Sequence, residues 1–330
     1  MGKEGDRRAG GEHHPLTDAQ AEKWLGSRYG GHAALAFGLG FELVLEGELD
    51  AGVLMSVFAE AMDRHESFSM RFESDGSAQV HEPPSGITLQ PQEFEHHDDP
   101  VAAYMAFCDA RLSEPFDPAR PPLVRAWLCR LGPRHWRLLF FAHHLVSDGW
   151  SFRVLGQDLA ARYSRRLDGS TRVPRLDSWI DYVRQERSRR MGPSGKASLR
   201  YWLRRYRELP ESLRLPTDYP RKPQLSFAAA TIEREITPEL WQALRAAARH
   251  HGTTRFGFLL AGYFILLHRL TGQQDLACGV PFTGAARGAG MRVVGDTENT
   301  LPLRMGISPE ESVAGFIGRQ IGRASCRERV

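Results

Sequence analysis

Two apolar runs near the middle of the chain constrain its fold more than any other feature. "LVRAWLCR" (123–130) and "HWRLLFFAH" (135–143) are separated by only Leu-Gly-Pro-Arg. Such a short connection predicts a β-hairpin, or two strands close together in one sheet. The second run lacks the polar–apolar alternation of a half-exposed strand, which indicates burial on both faces. We therefore expect the C-terminal end of this strand to lie at the edge of a sheet, where functional sites often form.

A polar cluster follows directly at that exit, in "HHLVSDGWS" (143–151). Adjacent residues in extended backbone point to opposite faces, so one of His143 and His144 can pack inward while the other faces a cavity. Asp148 comes one turn later, where it can bond backbone amides or an arginine. Gly149 allows close approach of another group, and Ser151 can cap the next helix.

The same cluster has two other interpretations. Both histidines can be core residues satisfied by hydrogen bonds, which for an arbitrary His pair is the commoner case. A metal site is disfavoured because adjacent histidines rarely converge on one ion, and no third ligand has suitable spacing.

Alternating elements on either side of the hairpin predict an α/β fold with two lobes. In the first lobe we expect a strand over 41–47, strands around Phe72 and Val80, and helices over 50–64, 101–112 and 151–163. The segment 177–215 is predicted to be helical and Arg-rich. Beyond a proline-rich crossing we expect strands over 228–236, 276–282 and 299–305, and helices over 238–251 and 256–270.

Composition excludes several classes of protein. The net charge of +3 is too small to argue for nucleic acid or a membrane surface, and the arginine run 184–214 is typical of a solvated helix face with i,i+4 pairs. Cys108, Cys129, Cys278 and Cys326 have no C-x-x-C spacing, so neither a disulfide framework nor a zinc site is expected. With no apolar run long enough for a span and no signal-like start, we predict a cytoplasmic protein.

Taken together, these motifs resemble the condensation domains of nonribosomal peptide synthetases. "HHLVSDGWS" is similar to their HHxxxDGxS core motif, "MDRHESFSMRF" (62–72) to RHExLRTxF, and "VVGDTENTLPLR" (293–304) to VGxFVNTLPLR. "PLTDAQAEKWL" (15–25), "LDSWIDYV" (176–183) and "YWLRRYRELPESLRLPTDYPRKP" (201–223) resemble three further family segments. These occur in family order from about residue 15 to residue 320.

The resemblance implies two lobes like chloramphenicol acetyltransferase, forming a V with a tunnel between them. It implies that donor and acceptor carrier proteins dock at either end, each presenting a thioester on a 4′-phosphopantetheine arm, within a synthetase of neighbouring modules. The donor acyl group would be transferred to the acceptor's amine. No cofactor would be held by this chain itself.

The resemblance also implies a role for each motif residue. His144 would be catalytic, either accepting a proton from the attacking amine or holding that amine by a hydrogen bond. His143, Asp148 and Gly149 would shape the site, with Gly149 keeping the acceptor path clear. The tunnel would be lined by motif residues that also pack or cap locally: Trp150, Ser151, Asn299 and Thr300.

Three departures from the family pattern affect these expectations. Ser69 replaces the family arginine that would pair with Asp148, which leaves Arg64, Arg71 and Arg304 as alternative partners. Thr297 and Glu298 replace an aromatic residue and a valine. The ending "GRASCRERV" does not resemble the family helix. We therefore predict a flexible tail over 1–14, lobes over 15–185 and 186–320, an incomplete second lobe and a non-native tail over 321–330.

Other functions remain open. The segment 19–43 together with "HHLVSDGWSF" is similar to condensation domains fed by polyketide modules, which would make the donor a polyketide or other acyl chain. An epimerisation domain shares HHxxxDG but not the "NTLPLR" segment. An acyl-CoA-dependent O-acyltransferase needs only HxxxDG. A non-catalytic carrier-docking fragment would explain the shortened second lobe but not an intact His144.

Overall fold

The computed structural model describes residues 12–28, 34–220, 229–286 and 291–324. The chain forms two compact units, one of Met1–Arg187 with Phe282–Asn299 and the other of Ser188–Pro281 with Thr300–Val330. The chain thus leaves the second unit at Phe282 and re-enters it at Thr300. The sequence-based boundary near residue 186 did not anticipate this return.

The described part of the first unit contains two sheets. Its strands are β1 (His13–His14), β2 (Gly38–Glu46), β3 (Met70–Phe72), β4 (Gln79–His81), β5 (Gln90–Glu93), β6 (Val124–Gly132) and β7 (His135–His143). One sheet has the order β2-β7-β6-β5, antiparallel except for the parallel β5–β6 pair, and the other has the order β1-β4-β3. The strands predicted around 41–47, Phe72 and Val80 are confirmed.

The predicted hairpin forms the centre of the four-stranded sheet. Strands β6 and β7 pair antiparallel, with Leu128 opposite Leu138, and β2 pairs with the other edge of β7, with Phe41 opposite Phe140. All residues of β7 from Leu138 to His143 are buried, which explains the missing alternation. The hairpin therefore places the His pair at the buried end of β7.

Helices cover the sheet where apolar faces and caps predict them. They are α1 (Asp18–Gly26), α2 (Ala51–Arg64), α3 (Pro100–Leu112), α4 (Gly149–Asp168) and α5 (Trp179–Met191). The side chains of Thr17, Asp50 and Asp99 accept hydrogen bonds from the first turns of α1, α2 and α3. The predicted helices over 50–64, 101–112 and 151–163 are confirmed, although the last begins two residues earlier.

In the second unit the described helices are α6 (Pro193–Arg205), α7 (Pro238–His250), α8 (Arg255–Thr271) and α9 (Val313–Ala324). A two-stranded sheet is formed by β8 (Asp275–Thr283) and β9 (Glu298–Gly306). The side chain of Thr237 accepts a hydrogen bond from the Leu240 amide and caps α7, in the predicted helix over 238–251. The predicted helical segment 177–215 ends at Arg205 and is broken at Gly192, whose successor Pro193 begins α6.

The predicted strand over 228–236 is wrong for the residues that are described. Ala228 lies outside the described residues, and 229–236 form no strand and are exposed. Their alternation of apolar and charged residues favours a strand, but no described strand pairs with them, and backbone without a partner strand does not form a ladder.

The chain ends also bear on sequence predictions. Residues 1–11 of the predicted flexible tail lie outside the described residues, whereas His13 and His14 already pair with β4 before Pro15. Helix α9 extends to Ala324, and residues 325–330 lie outside the described residues. That residues 321–330 form a non-native tail stays a prediction.

The returning segment, which is described over 282–286 and 291–299, is attached to the first unit by close packing. Gly295 has a φ of 149°, and a Cβ there would overlap the ring of the buried Trp179. The backbone amide of Arg292 donates to Asp177 Oδ2 at 2.7 Å, and the amide of Asp177 donates to the Arg292 carbonyl at 3.1 Å. Glycine is required at position 295 both because its φ is positive and because the Trp179 ring leaves no space for a side chain.

Gly295→Ala is therefore expected to lower the free energy of unfolding by about 2 to 4 kcal/mol, because the methyl group adds steric overlap to an unfavourable φ. Urea denaturation followed by tryptophan fluorescence measures this. Gly156→Ala is the matched control, since it lies within α4 and a Cβ there meets no atom within 4 Å. Equal stability of the two variants would contradict the packing of this segment.

Candidate active site

The end of β7 separates the two motif histidines as the sequence predicts. His143 is fully buried, and its Nδ1 accepts a hydrogen bond from the Leu145 amide at 3.0 Å. Because Nδ1 is an acceptor, the proton of the neutral ring is on Nε2. Burial, with a smaller contribution from His144, lowers the pKa of His143 to about 4. His143 is therefore a neutral structural residue that shapes the loop after β7.

His144, unlike His143, is partly exposed to solvent. Its side chain is 14% exposed, and its backbone amide donates to the Phe37 carbonyl at 2.7 Å. Its Nδ1 lies 3.4 Å from Asp296 Oδ1, and its Nε2 lies 3.9 Å from Glu298 Oε1. Both ring nitrogens thus face carboxylates contributed by the returning segment.

Asp148 is bound by donors that the sequence analysis did not identify. It is the N-cap of α4, and its Oδ1 accepts from the Ser151 amide and the Ser151 hydroxyl, each at 2.7 Å. Its Oδ2 accepts from the Thr297 amide at 2.9 Å and the Thr297 hydroxyl at 2.6 Å. The predicted arginine partner is wrong, because four neutral donors satisfy this 1% exposed carboxylate.

None of the three candidate arginines contacts Asp148. Arg71 donates through Nε to Glu82 at 3.0 Å, and Arg304 donates through Nε to Asp275 at 2.9 Å. Arg64 is an exposed residue at the end of α2. Thr297, which stands where the family has an aromatic residue, supplies the missing donors instead. This departure from the family pattern and the missing arginine are therefore explained together.

Ser151 does not cap the helix, contrary to prediction. Asp148 has the extended backbone of an N-cap, and Ser151 lies three residues later, where its hydroxyl accepts from the Asp148 amide at 3.1 Å. The same hydroxyl oxygen accepts from the Gly295 amide at 3.0 Å and lies 2.9 Å from the Gly295 carbonyl oxygen, which competes with Asp148 for its single proton. Ser151 is thus a buried anchor for the returning segment.

The two residues between Asp148 and Ser151 have different environments. Trp150 Nε1 donates to the Met291 carbonyl at 2.9 Å, so its indole packs against the returning segment. Gly149 is exposed, and a Cβ there would meet no atom within 4 Å. Packing therefore does not require glycine at this position.

A buried ion pair adjoins His144. Asp296 is fully buried, and Lys23 of α1 donates to its Oδ1 at 3.0 Å and to the Glu298 carbonyl at 3.1 Å. Burial raises the pKa of Asp296, while His144 and Lys23 act in the opposite direction. Sequence reasoning missed both residues, because nothing local to "EKWL" or "VGDT" indicates that two segments 273 positions apart meet.

Gln20 supports the loop after β7 from the other side. Its Nε2 donates to the Leu145 carbonyl at 2.8 Å, and it exchanges hydrogen bonds with Gln79, whose Oε1 also accepts from Trp179 Nε1 at 3.1 Å. A local signal for Gln20 exists in the sequence, since T-x-x-Q before an apolar run is a capping box, and Thr17 and Gln20 form one.

The remaining predicted residues lie at the start of β9. Asn299 is half-buried and ends the returning segment, while Thr300 is exposed and belongs to the second unit. That Trp150, Ser151, Asn299 and Thr300 line a tunnel stays a prediction.

Among described residues no group of three or more His, Cys, Asp or Glu could hold a metal ion, and no described helix meets the length and hydropathy needed to span a membrane.

Comparison with known proteins assigns this arrangement to a family. The family model described as "Condensation domain" matches residues 11–323. The chain belongs to the condensation-domain family. The predicted α/β fold is that of the family, and the HHxxxDG segment holds the site just described.

Relatives in synthetases agree with this assignment. The chain is 30% identical over 282 residues to malpibaldin synthetase of Mortierella alpina and 28% identical over 309 residues to tyrocidine synthase 2 of Brevibacillus parabrevis. These matches cover 84% and 92% of this chain but only 5% and 8% of the relatives, so the chain spans a small fraction of their length. The first condensation domain of the CDA synthetase superimposes with a TM-score of 0.76 at 26% identity, covering 95% of this chain and 75% of that one.

Asp148→Ala is expected to lower the free energy of unfolding by about 2 to 4 kcal/mol, because it removes a helix cap and leaves the Thr297 donors buried without a partner. Asp99→Ala is the matched control, since it removes an exposed cap with one hydrogen bond and should cost about 1 kcal/mol. Thermal unfolding measures both. A smaller loss for Asp148→Ala than for Asp99→Ala would contradict the anchoring role.

The low pKa of His143 predicts acid sensitivity. Below pH 6.5 the unfolded chain binds a proton at this residue that the folded chain does not bind until pH about 4, so stability falls as pH falls through this window. The full effect is about 3 kcal/mol. His143→Gln keeps an acceptor for the Leu145 amide without titrating. The stability difference between wild type and this variant should therefore shrink from pH 7 to pH 4.5, and a constant difference would contradict burial of a neutral imidazole.

Proposed function

We propose that this domain forms an amide bond by transferring an acyl group from a carrier-bound thioester to the amine of a carrier-bound aminoacyl thioester. The observation that carries the proposal is the partial exposure of His144 beside a buried, neutral His143 and an immobilised turn. A histidine exposed only at its tip, at the end of a covered strand, can contact a substrate while its ring is held in place.

The reaction requires little of the protein beyond positioning and proton transfer. The amine nitrogen attacks the thioester carbonyl carbon, the C–N bond forms, and the carbonyl oxygen carries the charge of the tetrahedral intermediate. The C–S bond then breaks, and the proton lost by the amine neutralises the departing thiolate. His144 is the residue that contacts the amine, and the amide N–H of Gly149, in the first turn of α4, is a donor for the oxyanion.

Both thioester substrates would be delivered by partner carrier proteins. Donor and acceptor carrier proteins, belonging to neighbouring synthetase modules, would each present a 4′-phosphopantetheine thioester, and the chain itself would bind no resident cofactor. The similarity of the opening segment to domains fed by polyketide modules supports a polyketide or other acyl chain as donor. Gly149 is exposed and a Cβ there would meet no atom within 4 Å, which supports passage of the acceptor arm past the motif turn.

His144→Ala is expected to reduce amide formation by about 10² to 10⁴-fold, the range typical of a lost acid–base or positioning group. The assay combines a butanoyl-loaded donor carrier with acceptor carriers loaded with single amino acids, and the acceptor is analysed by intact mass. His135→Ala, which changes an exposed histidine at the other end of β7, is the matched control. Undiminished turnover by His144→Ala would refute the assignment.

The same assay separates the alternatives. An epimerisation domain would exchange the acceptor's Cα hydrogen for deuterium without a donor. An O-acyltransferase would consume butanoyl-CoA in the presence of an alcohol and ignore the acceptor carrier. A docking fragment would bind the carriers without any turnover, in wild type and His144→Ala alike.

A further inference from the structure

The carboxylate of Asp296 stands between two cationic or titratable groups from distant parts of the chain. Its Oδ1 is 3.0 Å from Lys23 Nζ and 3.4 Å from His144 Nδ1. We infer that Asp296, held by Lys23, is the positioning residue for His144: it fixes the ring so that Nδ1 carries the proton and the Nε2 lone pair faces the amine. This inference rests on the proposed function of His144.

The placement of Asp296 is fixed on both sides. The preceding residue, Gly295, is bound through its amide to the Ser151 hydroxyl oxygen, and the following residue, Thr297, is bound through its amide to Asp148. The motif turn after β7 therefore holds the backbone on either side of this carboxylate. A side chain clamped in this way has little freedom to move away from the imidazole.

The environment of Asp296 favours a role in positioning the His144 ring over a role as a purely structural ion pair with Lys23. Asp296 is fully buried, and its Oδ2 has no hydrogen-bond partner among the described residues, which is costly for a carboxylate that serves stability alone. The 3.4 Å separation from Nδ1 is longer than a hydrogen bond, as is common for catalytic contacts before substrate binds. A small ring rotation would close it.

The arrangement determines the direction of proton transfer. With the proton on Nδ1 facing Asp296, the Nε2 lone pair accepts the proton that the attacking amine loses, and the imidazolium formed lies beside a carboxylate. Nε2 then returns this proton to the departing thiolate, so the histidine is regenerated. Asp296 touches no reacting atom.

Four other charged or titratable groups surround His144 or its turn. Lys23 comes from α1, His143 from β7, Asp148 from the start of α4, and Glu298 from the start of β9. Lys23 counters the charge of Asp296, His143 is neutral, and Asp148 is satisfied by Ser151 and Thr297. Glu298 lies 3.9 Å from Nε2 with a 35% exposed side chain, so it borders the nitrogen that faces the amine.

Two variants separate positioning from structural pairing. Asp296→Asn removes the charge at constant shape and should lower kcat by about 10 to 10³-fold with KM changed less than about threefold. The double variant Lys23→Gln with Asp296→Asn replaces the ion pair by two neutral amides that can hydrogen-bond, and should restore the melting temperature but not kcat. Recovery of both quantities in the double variant would overturn the inference. Glu22→Gln, which changes an exposed carboxylate of α1 next to Lys23, should keep kcat within about threefold of wild type, because an exposed charge is screened by solvent.

A readout independent of turnover distinguishes this inference from the proposed function. Imidazole nitrogen chemical shifts of His144, assigned by comparison with His144→Gln, report which nitrogen carries the proton. Wild type is expected to hold it on Nδ1, and the double variant should shift the ring toward the Nε2–H form. A ring already protonated at Nε2 in wild type would overturn the inference, even if the domain forms amides. The expected shift in a domain that forms no amide would refute only the proposed function.

Discussion

The carboxylate of Asp148 is the interaction on which the site depends. One oxygen binds the Ser151 amide and hydroxyl at the start of α4, and the other binds the Thr297 amide and hydroxyl. A single buried side chain thus caps α4 and also binds the returning segment at Thr297, which is 149 positions later in the sequence. Its charge is satisfied by neutral donors, so no salt bridge is needed.

From that constraint the environment of His144 follows. Fixing Thr297 also fixes Asp296 and Glu298, the two carboxylates that face the imidazole nitrogens. The Ser151 hydroxyl binds the Gly295 amide, and the lack of a side chain at Gly295 leaves room for the Trp179 ring. Trp179 donates a hydrogen bond to Gln79, which also accepts one from Gln20. The motif after β7 is therefore a local turn whose surroundings are formed by residues distant in the sequence.

Local features were predictable from the sequence, and long-range pairings were not. The hairpin, the buried end of β7 and the differing exposure of His143 and His144 follow from periodicity and from short-range chemistry. The Asp148 partner was mispredicted because the family pattern suggests an arginine, whereas Thr297 was noted only as a departure. Lys23 and Asp296 escaped notice because a buried ion pair between distant segments leaves no local pattern. The strand expected over 228–236 failed for a related reason, since a strand exists only with a partner.

The most direct test of this account is a crystal structure of the domain with an aminoacyl-pantetheine amide, a stable mimic of the acceptor thioester. The account predicts that the amine nitrogen lies within hydrogen-bond distance of His144 Nε2 while Nδ1 is bonded to Asp296. An amine bound elsewhere, or a ring turned so that Nδ1 faces the amine, would contradict it.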